Sequence, residues 1–144
     1  MRGSRYGRAT ARAAVLALSL AALGACGAVA ERRDAAQAEA TRFELDRDAG
    51  RHALLCAALA PGTRDELEQT AGSGCPRAIR QAIEEDDLPA AGAVRAVDVW
   101  GDQARVVLEG DTLFLSQFPG GWKVTAAGCE SRPDQPYRCG LKGG

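Results

Sequence analysis

Histidine occurs once in the 144 residues, as His52, and aromatic side chains make up only 5% of them. With one histidine and no Cys-x-x-Cys spacing, zinc ligation is a poor competitor for the cysteines, so no metal and no cofactor is expected. The chain has no glycine-rich phosphate loop, nucleophile elbow or basic-aromatic stripe. Their absence excludes the common nucleotide, acyl-transfer and nucleic-acid signatures. His52 follows Arg51 near the start of a helical segment, with no serine, cysteine or carboxylate placed to form a triad with it. It reads as a surface side chain, and no residue is assigned a catalytic role.

The N-terminus is ordered differently from the rest. Arg2, Arg5, Arg8 and Arg12 precede an apolar run from Ala13 to about Leu23, with no acid among them. That run fits the 7–15-residue core of a signal peptide and falls short of the about 20 apolar residues a spanning helix needs. It also lacks the polar face that a core helix would carry. Leu23-Gly24-Ala25-Cys26 closes it and resembles the lipobox of bacterial lipoproteins. The resemblance implies cleavage between Ala25 and Cys26 and diacylglyceryl and palmitate-type acylation of Cys26. Residues 1–25 are then the signal peptide, 26–33 a lipidated tether and 34–144 a single domain. No Arg-Arg pair precedes the run, which favours export by the general route.

Cleavage takes 25 of 144 residues and leaves 119, the size of one domain. The four arginines leave with the signal, so 14 of 18 basic residues remain against all 19 acids, about −5. A mildly acidic surface argues against a nucleic-acid partner and against a polybasic membrane patch, so attachment rests on the lipid. Of the five cysteines, the four left after Cys26 read as a disulfide framework in an exported domain. Three pairings are open. Cys56–Cys75 and Cys129–Cys139 are favoured, because each pair falls within one structural neighbourhood.

Helical signals come first. Residues 34–46 are rich in Ala and Glu. Asp48 can cap a second helix with an apolar stripe of Ala53, Leu54, Ala57, Ala58 and Leu59 that Pro61-Gly62 stops. Thr63 and Glu66 have capping-box spacing and open a short helix to about Gln69. Pro76 suits the first turn of a third main helix, which carries Ala78, Ile79, Ala82 and Ile83 at helical spacing and ends near Glu84-Glu85-Asp86-Asp87. That acidic run could offer oxygens to a hard cation, but consecutive carboxylates diverge around a helix and repel, so it reads as a solvated end. Past Gly92 the period falls to two. Strands are expected over 94–100, 104–108, 112–118 and 122–127, joined by turns too short for anything but antiparallel pairing. A Cys129–Cys139 loop closes the chain.

The segment Leu54-Leu55-Cys56-Ala57-Ala58-Leu59, then Gly74-Cys75-Pro76, then Gly120-Gly121-Trp122-Lys123-Val124 leading into Ala127-Gly128-Cys129 resembles small secreted lipoproteins of high-GC Gram-positive bacteria with an NTF2-like (cystatin-like) domain. The resemblance implies an α+β cone in which N-terminal helices pack on a curved four-stranded antiparallel sheet. It implies a lipid-anchored protein at the extracytoplasmic face of the cell membrane. Its domain would bind a protein partner of the cell envelope or a small apolar ligand, without catalysis. Two alternatives stand: a small-molecule enzyme with Asp98 as base inside the cone, and an accessory subunit of a membrane complex. Asp98, Trp100 and Phe114 are the candidate ligand contacts, while Phe118, Trp122 and Tyr137 are shared between core and pocket readings.

The lipobox reading has a direct test. Labelling with an alkyne fatty acid is expected to tag the wild-type chain and not Cys26→Ser, and the variant is expected to leave the membrane fraction. A Cys26→Ser chain that stays membrane-bound would rule out the lipid as the anchor.

Overall fold

A computed structural model describes the backbone of residues 9–143 and the side chains of residues 27–143. Cys26 and the apolar side chains of the expected signal peptide lie outside the described side chains. The chain divides into two compact units, Met1–Arg32 and Arg33–Gly144. The backbone is helical from Ala9, where α1 (Ala9–Asp48) begins, and residues 27–33, expected as a tether, belong to that helix. Among the described residues no helix is long and apolar enough to cross a membrane.

The second unit is α+β, with helices first and a sheet after them. Ala36, Ala40 and Phe43 recur at helical spacing along α1 and are fully buried. Gly50, with φ +66°, turns the chain out of α1 and into α2 (His52–Ala58). Asp48, expected to cap α2, is instead the last residue of α1, and Arg51 takes the cap position without a side-chain bond. The buried face of α2 is Leu55, Cys56 and Ala58, continued by Leu59, whereas Leu54 is exposed. The expected stripe is thus rotated by one residue. Cys56 is bonded to Cys75 across a Cα–Cα distance of 6.0 Å, and that bond turns the face toward α4 (Cys75–Glu84).

Pro61 begins α3 (Pro61–Ala71) rather than only ending α2, as its fixed φ allows at a first helical turn. Thr63 is therefore inside the helix, and the capping box does not form. Its buried hydroxyl donates instead to the Thr125 carbonyl at 2.9 Å, tying α3 to the sheet. At the start of α4 the Glu68 carboxylate accepts the Cys75 amide at 2.9 Å.

The sheet is an antiparallel meander ordered β1 (Val94–Trp100), β2 (Gln103–Leu108), β3 (Thr112–Phe118), β4 (Gly121–Arg132) and β5 (Gln135–Lys142). The expectation of four strands is corrected to five. Residues 129–139, expected as a disulfide-closed loop, form a hairpin in which Cys129 pairs directly with Cys139, and the two are disulfide-bonded. Strand β5 pairs with β4 from Ala126 onward. Alongside the earlier half of β4, residues 59–60 take its place: Leu59 bridges Val124, and the Ala60 amide donates to the Val124 carbonyl at 2.8 Å. Lys123 adds a bond to the Ala57 carbonyl at 2.7 Å. These contacts cover an edge that would otherwise be open to pairing.

One buried cluster joins the layers, with Phe43, Leu55 and Ile79 from the helices and Val106, Leu113, Leu115 and Val124 from the sheet. The segment after α4 crosses the β4–β5 hairpin very closely. A Cβ at Gly128 or Gly140 would collide with the Asp87 carbonyl oxygen, so only glycine lets the backbones meet there.

Trp122 and Val124 face the helices, at 5% and 0% exposure. Replacing Trp122 by Ala is therefore expected to cost about 3–5 kcal/mol, as large-to-small core changes do. Thermal and urea unfolding of the variant would check this. A melting point within a degree or two of wild type would show that Trp122 does not support the core.

Candidate functional site

Strand alternation sorts the candidate residues by face. Val97, Ala104, Val106, Leu113 and Leu115 point into the core. Their neighbours Asp98, Trp100, Arg105 and Phe114 point the other way, onto the face of the sheet that the helices leave uncovered. The register then aligns Asp98 with Arg105 and Arg105 with Phe114 across three strands. Arg105 grips Asp98 through Nε at 3.1 Å and Nη2 at 2.7 Å, both to Oδ2. Hydrogen bonding to Asp98 raises the Arg105 pKa, its slight burial works against this, and the Asp98 charge and the Tyr137 phenol add to the rise. Phe114 packs edge-on against Tyr137 with ring centroids 5.1 Å apart. Trp100 stands at the end of β1, 51% exposed. Beyond it Ser116 donates to Gln103 at 3.0 Å.

The three candidate contacts Asp98, Trp100 and Phe114 thus share one surface, and that surface is open. Asp98 is 44% exposed beside its cation. Two clefts of the domain lie elsewhere. One of about 280 Å³ runs between α3, α4 and β5, and one of about 590 Å³ lies between residues 86–89 and the β4–β5 hairpin. Neither is lined by Asp98, Trp100 or Phe114. His52 is half-buried at the start of α2, and Glu84 to Asp87 are all exposed. Among the described residues no group of His, Cys, Asp and Glu could hold a metal ion.

Compared with protein-family models, curated proteins and solved structures, the chain matches none of them. Its chemistry therefore has to be read from its own side chains.

Three acids with no sequence signal of function are buried: Asp46, which is paired with Arg51 at 2.6 Å, Asp111 and Glu44. Asp111 follows Gly110 in the β2–β3 turn, yet it is 5% exposed. Its carboxylate accepts the amides of Thr112 and Cys129 at 2.6 Å and of Gly128 at 2.8 Å. Burial pushes its pKa up nonetheless, with those three amides and Arg47 opposing. Glu44 is 7% exposed, and neither of its carboxyl oxygens has a hydrogen-bond partner. Burial first, and the Asp111 charge second, push it up to about 7. Arg47 lowers it, as does the Ala91 backbone, which lies close but outside hydrogen-bond geometry, while Asp48 raises it further. The Arg47 guanidinium is shared with the Leu88 carbonyl at 3.1 Å and Asp48 at 3.0 Å. The signal for Glu44 was present in the spacing: Ala36, Ala40 and Phe43 mark a buried stripe, and residue 44 lies on its flank.

The pH consequence has a definite sign. Folded Glu44 holds its proton up to about 7, against an ordinary value of 4.5. Below 4.5 both states are protonated and its contribution is fully present. As pH rises from there to about 7 the unfolded state releases the proton and the folded state retains it, so stability falls, then levels off. At about 1.4 kcal/mol per pH unit the total is about 3 kcal/mol. Glu44→Gln is expected to melt higher than wild type at pH 8, the gap narrowing toward pH 5. Parallel melting curves at every pH would show that Glu44 titrates normally.

Proposed function

We propose that this chain is a lipoprotein held by acylated Cys26 at the extracytoplasmic face of the cell membrane. Its domain is of the NTF2-like (cystatin-like) type and binds a protein partner of the cell envelope without catalysis. The helices-then-meander order supports that fold type. Two acyl chains on one cysteine would suffice for stable attachment where no apolar helix spans.

The observation that carries the binding reading is the uncovered sheet face. Trp100, Phe114 and Tyr137 stand there beside the Asp98–Arg105 pair. Aromatic and arginine side chains in a polar setting make up the composition that protein interfaces favour over other surface. A small apolar ligand would instead call for a concave, water-excluding pocket. The space beneath the sheet is filled by Phe43, Leu113 and Leu115. A base for small-molecule chemistry would need shelter from solvent, and an ion-paired, half-exposed Asp98 lends that alternative no support.

A photocrosslinking amino acid at position 100 in intact membranes is expected to trap one discrete adduct. The same group at Gln81, exposed on α4, is expected to trap none. Trp100→Ala should abolish co-purification of the trapped protein from detergent-solubilised membranes while leaving the melting point nearly unchanged. Equal labelling at both positions, or none at position 100, would remove the face from consideration.

A further inference from the structure

The residues after α4 form a strap over one end of the sheet, and its attachments converge on the buried acids. The Asp87 carbonyl lies against Gly128 and Gly140. The Leu88 carbonyl takes the Arg47 guanidinium of α1, and Leu88 itself is fully buried. The Gly110 amide donates to Ala91 at 2.8 Å, and the Glu109 amide to Ala93 at 3.0 Å. Glu44 of α1 stands beside this strap. The charged groups that face it are Arg47 and Asp48 from its own helix and Asp111 from the β2–β3 turn, while the strap contributes the Ala91 backbone.

That set is one cation short. Arg47 is already divided between Asp48 and the Leu88 carbonyl. Asp111 cannot turn away, because three amides hold it. An ionised Glu44 would therefore be a buried anion beside Asp111 with neither oxygen hydrogen-bonded and only the Ala91 backbone near it, a state that proteins avoid by neutralising the group or by admitting water.

We infer that Glu44 is a proton-operated latch: protonated, it lets α1 close on the strap of residues 86–93 and on the β2–β3 turn, and ionised, it opens that junction to water. The step is a simple exchange, the carboxyl O–H giving its proton to solvent and the carboxylate gaining water as its donor. Opening is local, because the sheet's central pairs and the Cys56–Cys75 disulfide lie outside the junction, and the Cys129–Cys139 bond closes the hairpin beside it covalently. The strap would then be the part of the domain that answers to the acidity of the surroundings, separately from the open sheet face.

The test is hydrogen exchange on the full chain in detergent micelles, corrected for the intrinsic pH dependence of exchange. Protection of the Leu88, Glu109 and Gly110 amides is expected to fall by about tenfold or more as pH rises from 5 to 7, then level off. Central amides such as Val106 and Leu115 should remain far better protected than the strap at every pH, falling only in step with the global stability. Glu44→Gln is expected to hold the strap protected across the whole range. Carbon-detected NMR of the carboxyl that Glu44→Gln removes supplies a readout independent of the variant's stability, and a midpoint near 7 is expected. A Glu44 carboxyl titrating near 4.5 would overturn the latch. So would strap and central amides sharing one level of protection at every pH, which would make Glu44 a source of global instability only.

Discussion

Asp111 is the side chain on which the arrangement of this domain turns. A turn carboxylate accepts the Thr112 amide at the start of β3, and also the Gly128 and Cys129 amides in the middle of β4. Burying a carboxylate is costly, and several backbone donors directed at it are what make the burial tolerable. Through those three bonds the β2–β3 turn is locked to the strand that carries the Cys129–Cys139 bond. Gly128, held in this way with φ +64°, leaves the space in which the Asp87 carbonyl can rest. The strap, and with it the end of α4, is positioned by a bond network that begins at one acid.

The same network creates a problem on the other side. Asp111 brings negative charge to the face where α1 docks, and Glu44 meets it there without a donor of its own. A leucine or glutamine would suit that position better for stability alone. The buried acid pair is thus a place where electrostatics and packing disagree, and the disagreement falls in the pH range where surroundings vary.

Elsewhere the two agree. The inner faces of β1 to β4 supply branched aliphatic residues and Trp122, and the helices supply Phe43, Leu55 and Ile79. Disulfide closure between Cys56 and Cys75, 19 residues apart, adds about 3 kcal/mol in the chain-entropy model. That is a large part of the net stability a domain of this size commands. Having filled the inside of the sheet, the chain keeps Trp100, Phe114, Tyr137 and the Asp98–Arg105 pair on the outside. The recognition we propose at the sheet is therefore a matter of surface complementarity rather than of enclosure.

The amino-acid sequence by itself determined the α+β order, the strands from Val94 to Val124 and the favoured cysteine pairs, because period, turn residues and cysteine spacing are local signals. Tertiary structure decided the rest. Strand β5 was not legible, since Gln135 to Lys142 alternates weakly and becomes a strand by pairing with β4. Thr63 reads as a cap, yet its hydroxyl found the Thr125 carbonyl of a strand more than sixty residues away. The face of α2 was set by where Cys75 stands, and the sides on which Asp98 and Phe114 emerge by which face of the sheet the helices cover. Glu44 and Asp111 are ordinary residues in the sequence. They became a coupled buried pair only when packing brought α1 against the β2–β3 turn, since desolvation and the field of a neighbouring charge exist only in three dimensions.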